Sequence, residues 1–149
     1  MNIKVVDIVL EEIVPTKEQI EELYNQLKQR TFSISHKAVP QYDEHIDFVS
    51  NHPYRAWFII KQTKNVIGTI YVQHDNSIGL NCIDNVTEEQ IEKILSMLTS
   101  QLSPLEAVPS ARFGEFFLNV SSSNIELQDK LKNIGLTESQ RSFCFVKDN

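Results

Sequence analysis

The 149-residue chain contains few of the residues that mark disulfide-rich, fibrous or disordered proteins. It has 2 Cys, 4 Gly and 5 Pro, and 41% of its residues are hydrophobic, which is typical of an ordinary globular protein. Cys82 and Cys144 lie far apart, with no CxxC pattern and no clustered histidines. Neither a disulfide framework nor a metal site is therefore predicted. We expect both cysteines to be buried, reduced thiols.

Long apolar runs and an excess of positive charge are also missing. No segment approaches the ~20 apolar residues that a membrane-spanning helix needs. The first residues, MNIKVVDIVLEEIV, lack a basic region followed by an apolar one. The formal net charge of -6 argues against nucleic-acid binding, which depends on Lys and Arg that neutralise phosphates. These absences predict a cytoplasmic protein whose partner is a small molecule or a protein.

Four amphipathic helices are predicted from capping residues and apolar spacing. The clearest covers residues 87–102, where Thr87 and Gln90 form a capping box and a continuous apolar stripe starts at Ile91. The other three are a helix that Thr16 caps and Arg30 ends, a helix from Tyr42 to Val49, and a helix over about 124–134 that Gly135 ends.

Segments rich in β-branched and aromatic residues predict the strands. Residues 54–61 and 65–72 are joined by a short polar link and predict an antiparallel hairpin, in which Trp57 and its aromatic neighbours belong to the core. The other predicted strands are residues 3–10, 77–83, 116–121, and two short strands around a turn in LTESQRSFCFVK. The fold class is therefore α/β, an α+β mixed sheet in one domain over residues 1–149, with the order β, α, α, β, β, β, α, β, α, β, β.

Two segments, together with this order, resemble the GNAT N-acetyltransferase superfamily. The segment NVIGTIYV is similar to the family's third strand, with Gly68 as its inward glycine. Residues 118–136 resemble the family's fifth strand and following helix, and they keep Leu118, Val120, Asn124, Gly135 and Leu136 at the family's spacings. The resemblance implies a mixed sheet whose central strands splay apart so that acetyl-CoA can slot between them. Asn124 and Gly135 also suit an ordinary helix cap and helix stop.

The cofactor-binding residues that the resemblance implies are partly substituted. The family cradles the CoA pyrophosphate with R/Q-x-x-G-x-G/A at the start of the third helix, where this chain has Thr87-Glu88-Glu89-Gln90-Ile91-Glu92. Both glycines are missing, and the three carboxylates would repel a pyrophosphate. The family's donor to the oxyanion, a backbone N–H, falls near Cys82 or Ile83. The implied cofactor contacts are therefore Cys82, Ile83, Thr87, Gln90 and Asn124.

The positions that move protons in the family are substituted as well. The general-base Glu position is Asn119, whose amide cannot take a proton, and the general-acid Tyr position is Leu131, which we interpret as a core residue. The remaining catalytic candidate is His36 or a water molecule. Ser35, His36 and Tyr42 are the predicted acceptor-binding residues, in a loop that also holds Ser33 and His45. The alternative is that His36 is a solvated loop residue and that His45 lies on a helix surface.

Two functions remain open at this point. The first is an N-acetyltransferase that moves an acetyl group from acetyl-CoA to a small amine; a similarity of the loop and the turn DNSIG to GNAT-like proteins of bacterial surface-sugar pathways suggests an amino sugar. The second is a catalytically silent GNAT-like domain that binds a ligand or a protein, which the missing glycines, Glu and Tyr favour. A homodimer formed through sheet edges is compatible with either function.

Overall fold

The computed structural model of the chain describes residues 7–29 and 39–146. Within these ranges one five-stranded sheet is flanked by helices on both faces. None of these helices has both the length and the apolar character that crossing a bilayer requires. The elements are β1 (Ile8–Glu12), α1 (Lys17–Gln29), α2 (Tyr42–Ser50), β2 (Ala56–Gln62), β3 (Asn65–Val72), β4 (Ser77–Cys82), α3 (Glu88–Gln101), β5 (Phe117–Leu118) and α4 (Ile125–Asn133).

The sheet follows the order of the chain, β1-β2-β3-β4-β5. Strands β1 to β4 are antiparallel neighbours, whereas β5 lies parallel to β4. The predicted hairpin is confirmed, and its two linking residues, Thr63 and Lys64, have positive φ angles of 48° and 70°. Two such residues match the twist of a tight antiparallel turn. The predicted mixed-sheet class is therefore confirmed.

Side-chain alternation along β2 divides the core between the two faces of the sheet. Trp57 and Ile59 pack with the apolar residues of α1 and α2. Phe58 and Ile60 point to the opposite face, where they join the apolar residues of α3 and α4. Since successive strand residues alternate between faces, this run of four buried residues supplies both halves of the core. Trp57 and Phe58 are confirmed as core residues.

The predicted ends of α3 and α4 that follow are formed by the residues that the sequence indicated, whereas the predicted end of α1 at Arg30 lies outside the described residues. The Thr87 hydroxyl accepts a hydrogen bond from the Gln90 N–H at 3.1 Å, and the Gln90 side chain accepts one from the Thr87 N–H at 2.8 Å. The Asn124 side chain caps α4 by accepting from the Leu127 N–H at 3.2 Å. Gly135 follows α4 with a φ of 105°, a conformation that favours glycine. Thr87, Gln90, Asn124 and Gly135 interact with residues only a few positions away in the chain, so the local sequence was sufficient to predict their roles.

The predicted final two strands are not formed in the part of the chain that the structure describes. Residues 137–146 have no strand pairing, and the side chains of Phe143 and Phe145 are exposed. The apolar alternation favours extended backbone, but a strand also needs a neighbouring strand to complete its hydrogen bonds. Cys144 lies in this segment and is exposed, so the prediction that it is buried is wrong.

Asn76 fixes the long connection between α3 and β5. Its side chain is fully buried, and its Nδ2 donates hydrogen bonds to the carbonyls of Leu105 at 2.9 Å and Phe113 at 2.7 Å. Its Oδ1 accepts from the Leu105 N–H at 2.7 Å, and its backbone carbonyl accepts from the Phe117 N–H at 3.2 Å. One residue before β4 thus determines where β5 begins.

Candidate active site

The two parallel strands β4 and β5 are paired over a short distance and then part. Ser77 pairs with Phe117 and Ile78 with Leu118, and the Asn119 N–H donates to the Ile78 carbonyl at 3.2 Å. From there β4 continues to Cys82, whereas β5 ends at Leu118. The carboxyl-terminal half of β4 consequently diverges from the chain that follows β5.

A cavity of about 420 Å³ lies between the parted strands. Residues 80–86 form one wall, from the end of β4 to the turn before α3, and residues 119–121 with Asn124 form the other. Lys130 and Leu127 of α4 close one side, and two glutamines from the end of α1 reach the cavity from the other face of the sheet. Its volume falls in the range of about 300–1,000 Å³ that small-molecule sites occupy.

Gly68 allows β3 and β4 to approach closely beside this cavity. It pairs with Cys82, and a Cβ atom added to it would lie 2.4 Å from the Asn81 carbonyl oxygen. A side chain there would force the two strands apart, so the glycine is needed for its small size. The predicted inward glycine therefore supports the wall of the cavity.

Backbone alternation determines which N–H group of β4 faces the cavity. The Ile83 N–H donates to the Ile67 carbonyl at 2.9 Å and is therefore turned toward β3. Along an antiparallel strand, neighbouring residues point their N–H groups to opposite sides. The Cys82 N–H is thus directed toward β5 and the cavity. Of the two predicted oxyanion donors, the geometry favours Cys82.

The Cys82 thiol lies in the cavity wall but is not poised for nucleophilic chemistry. Burial raises its pKa to about 12, and the positive charge of Lys130 opposes this only in part. At neutral pH the sulfur is therefore protonated, and the thiolate is the reactive form of cysteine. Cys82 contributes its backbone and its volume to the site.

The charges around the cavity are mixed. Lys130 supplies the positive charge among the lining residues that the structure describes, and Asp84 and Glu126 supply negative charges. The Lys130 Nζ donates to the Val86 carbonyl at 2.7 Å and pairs with Glu126 at 2.8 Å. At the start of α3, the Glu88 carboxylate accepts a hydrogen bond from the Asn133 side chain at 2.8 Å. The positive potential available to an anionic ligand is therefore small.

The predicted site residues divide into those that line the cavity and those that do not. Thr87 and Gln90 are occupied with the helix cap, and neither is among the described lining residues. Leu131 is buried in the core, which confirms its interpretation. The predicted residues that the cavity brings together are Cys82, Ile83, Asn119 and Asn124.

The predicted acceptor-binding loop lies largely outside the described residues, which exclude Ser33, Ser35 and His36. Tyr42 begins α2, and its ring centroid lies 5.0 Å from that of Tyr24. It is not among the described lining residues of the cavity. For these four predicted residues, roles in binding or catalysis stay predictions.

His45 is buried, so its interpretation as a helix-surface residue is wrong. It is 2% exposed, and its Nε2 lies 2.8 Å from the Ile20 carbonyl, to which it donates. Burial lowers the pKa of His45, and the hydrogen bond to Ile20 opposes that change only in part. A neutral imidazole here joins α2 to α1. Its spacing of four from the buried Val49 was the sequence signal for this position.

The sequence did not reveal several residues of the cavity wall. Asp84 and Asn85 form the turn into α3, with Asn85 at a φ of 69°. An Asp-Asn pair is typical of turns, so this pattern could have marked them. Lys130 directly precedes the core residue Leu131, and its position on the cavity follows from how α4 packs. Gln26 and Gln29 reach the cavity from α1, and no local pattern marked them.

Solved structures of N-acetyltransferases are similar to this chain over most of their length. No family model and no curated protein matches the sequence. The dodecameric spermidine N-acetyltransferase from Vibrio cholerae has a TM-score of 0.58 at 14% identity, over 90% of this chain and 81% of that one. An acetyltransferase from Thermus thermophilus has a TM-score of 0.61 at 12% identity, over 89% and 88% of the two chains.

A third similar structure is the aminoglycoside N-acetyltransferase AAC(6')-Iy in complex with CoA. Its TM-score is 0.57 at 16% identity, over 94% of each chain. The protein has the GNAT fold. The predicted resemblance is confirmed at the level of architecture, with the parted strands of the GNAT sheet present as β4 and β5. At these sequence identities the similarity is one of fold.

Proposed function

We propose that this GNAT-fold protein is an N-acetyltransferase that uses acetyl-CoA and a small amine. The observation that carries the proposal is the cavity of about 420 Å³ between β4 and β5. Parted strands leave backbone N–H and C=O groups without a strand partner, and these groups suit the amide groups of a pantetheine arm. The similar AAC(6')-Iy structure holds CoA, which agrees with this assignment of the ligand.

The reaction requires a donor at the thioester carbonyl oxygen. The amine nitrogen would attack the carbonyl carbon, the C–S bond would break, and the departing CoA thiolate would take up a proton. We assign the oxyanion contact to the Cys82 N–H, since the Ile83 N–H is already bonded to Ile67. Removal of one such donor from an enzyme typically costs about 10²–10³ in kcat. A backbone donor is kept whatever side chain follows it, which fits a chain that has lost other family residues.

Proton transfer in this proposal does not use the family's usual positions. Asn119 lines the cavity but has no basic group, and Leu131 is in the core. A water molecule or His36 would take the proton from the amine, with Ser35 and Tyr42 as acceptor contacts. Transfer through water is sufficient when the amine arrives neutral. An amino sugar is the proposed acceptor class, and the cytoplasm is the proposed location, consistent with two unpaired cysteines.

A catalytically silent ligand-binding domain is the second candidate function. The start of α3 favours it, because Glu88 and Glu89 occupy the first turn where a pyrophosphate would otherwise meet glycine N–H groups. The described cationic group near that corner, Lys130, is paired with Glu126. A domain of this kind would keep the cavity for a less highly charged ligand.

Calorimetric titration with acetyl-CoA and with CoA, at low and moderate salt, separates the two candidates. The wild-type protein should bind in the micromolar range, and Val120→Phe should weaken binding by about tenfold or more, because its ring fills the cavity. Val14→Phe is the matched control, since Val14 is 60% exposed in the loop after β1. Absence of wild-type binding at millimolar ligand would reject the acetyltransferase and leave the silent domain.

If binding is observed, an amine screen tests the catalytic assignment. His36→Ala should lower acetylation of the best acceptor while leaving acetyl-CoA binding intact. His74→Ala is the control, because His74 is exposed beside the turn between β3 and β4. Equal activity in both variants would assign the proton transfer to water.

A further inference from the structure

Neutral polar side chains outnumber charged ones in the cavity between β4 and β5. Six of the described lining residues are carboxamides, which donate and accept hydrogen bonds without carrying a charge: Gln26, Gln29, Asn81, Asn85, Asn119 and Asn124. The Ile78 carbonyl accepts from the β5 side, so strand alternation also directs the backbone groups of Leu80 and Cys82 toward the cavity. The wall therefore suits a ligand that is polar and uncharged.

The end of the cavity next to α3 carries more negative than positive charge. The carboxylates of Asp84 and Glu126 line it, and that of Glu88 lies in the first turn of α3. Among the described lining residues the positive group is Lys130, whose Nζ already contacts the Val86 carbonyl at 2.7 Å and Glu126 at 2.8 Å. A phosphate at this end would meet a repulsion that the paired lysine offsets only in part.

Two N–H groups at the start of α3 are already bonded. Those of Thr87 and Gln90 form the capping box, with hydrogen bonds of 2.8 and 3.1 Å. Gln90 also joins the helix start to β2, because its Nε2 donates to the Gln62 side chain at 2.9 Å. The Asn133 side chain donates to the Glu88 carboxylate at 2.8 Å, which holds a negative charge at the same place. A helix start binds phosphate through unbonded N–H groups, so this one suits that task poorly.

We infer, on the basis of the proposed function, that the protein recognises the pantetheine thioester of its donor and makes no favourable contact with the phosphates of the nucleotide. The pantetheine arm is uncharged, and its amide groups match the carboxamides and the backbone groups of β4. The nucleotide of acetyl-CoA carries several negative charges, which would lie toward Asp84, Glu88 and Glu126 or in solvent. The donor class is therefore an acetylated pantetheine, with or without the nucleotide.

Calorimetric titration with S-acetylpantetheine, acetyl-dephospho-CoA and acetyl-CoA tests this inference, because these donors share the thioester arm and differ in phosphate charge. S-acetylpantetheine should bind within about threefold of acetyl-CoA, or more tightly. Acetyl-CoA that binds more than about threefold more tightly than S-acetylpantetheine would overturn the inference and leave the proposed acetyltransferase intact. If none of these donors binds at millimolar concentration, the proposed function fails and the inference fails with it.

The salt dependence of binding gives a second, independent readout. Raising the salt concentration from about 0.01 M to about 0.15 M screens the interactions between charges near the surface. The affinity for acetyl-CoA should then stay constant or increase, because the repulsion of its phosphates is weakened. An acetyl-CoA affinity that falls with salt, while that of S-acetylpantetheine stays constant, would show that the protein attracts the phosphates and would contradict the inference.

A charge variant tests the role of the α3 start. Glu88→Gln should strengthen acetyl-CoA binding by about twofold or more at low salt and leave S-acetylpantetheine binding unchanged. Glu18→Gln is the matched control, since Glu18 lies in the first turn of α1. An unchanged acetyl-CoA affinity in Glu88→Gln would place the phosphates in solvent, which also agrees with the inference. Weaker acetyl-CoA binding in this variant alone would mean that the α3 start contributes to nucleotide binding, and the inference would be wrong.

Discussion

The junctions β2–β3 and β4–β5 show how one sheet serves two purposes. β2 and β3 stay paired from Ala56 with Val72 to Gln62 with Asn65, and the side chains of Ile59, Ile60 and Ile70 between them are fully buried. β4 and β5 stay paired at two positions and then enclose a cavity of about 420 Å³. The long pairing of β2 and β3, which has one register shift between Ile60 and Lys61, stabilises the fold. The early parting of β4 and β5 leaves backbone groups and volume that we propose for a ligand. In the proposed function, stability and binding thus depend on different strands.

The largest expected contrast comes from one truncation at each junction. Ile60→Ala should lower the free energy of unfolding by about 2–5 kcal/mol, because it leaves a cavity in closely packed surroundings. Val120→Ala, at a half-buried position beside an existing cavity, should cost less than about 1 kcal/mol. Urea unfolding followed by circular dichroism measures both changes. Equal losses would mean that the β4–β5 junction is as important for stability as β2–β3.

A smaller effect is expected at the residue that positions β5. Asn76→Ala removes three side-chain hydrogen bonds from a fully buried site and should cost about 2–3 kcal/mol. It should also weaken any ligand in the cavity, since β5 would lose its fixed starting point. Asn51→Ala is the control, because Asn51 makes an exposed side-chain hydrogen bond to Asp47. Loss of stability without any change in ligand affinity would show that Asn76 does not influence ligand binding in the cavity.

The smallest perturbation is thiol labelling, which compares the cavity wall with the exposed residues 137–146. At pH 8 a thiol reagent should modify Cys144 rapidly and leave Cys82 unmodified, because burial raises the pKa of the Cys82 thiol to about 12. A pKa of that size leaves about one thiolate in ten thousand at pH 8. Raising the pH toward 12 should increase the labelling rate of Cys82. Mass spectrometry of digested protein identifies the modified residue, and fast labelling of Cys82 at pH 8 would show that the cavity wall opens readily.

Helix boundaries and the hairpin could be predicted from the sequence because their causes are local. The capping box of Thr87 and Gln90 and the cap at Asn124 act within a few residues of the chain. Cys82, Ile83 and Asn119 were predicted near the ligand through the family resemblance, and the structure brings them to one cavity. The resemblance therefore predicted four of the residues that line the cavity, namely Cys82, Ile83, Asn119 and Asn124.

The remaining features depend on contacts between distant parts of the chain. The pattern of residues 136–146 suits a strand, but strand formation depends on a partner that the sequence pattern does not show. Lys130 reaches the cavity through the packing of α4. Its Nζ donates a hydrogen bond to the carbonyl of Val86, which lies 44 residues earlier in the sequence. The burial of His45 was visible in helix periodicity, but its partner, the Ile20 carbonyl, was not.

The central claim, that acetyl-CoA binds between β4 and β5, is tested most directly by following backbone amides during a titration with acetyl-CoA. In nitrogen-edited NMR spectra, we expect shifts for residues 80–86, 119–121 and 124, which line the cavity, and unchanged signals for β1 and β2. Shifts that are absent at millimolar acetyl-CoA, or that fall on β1 and β2, would contradict the account.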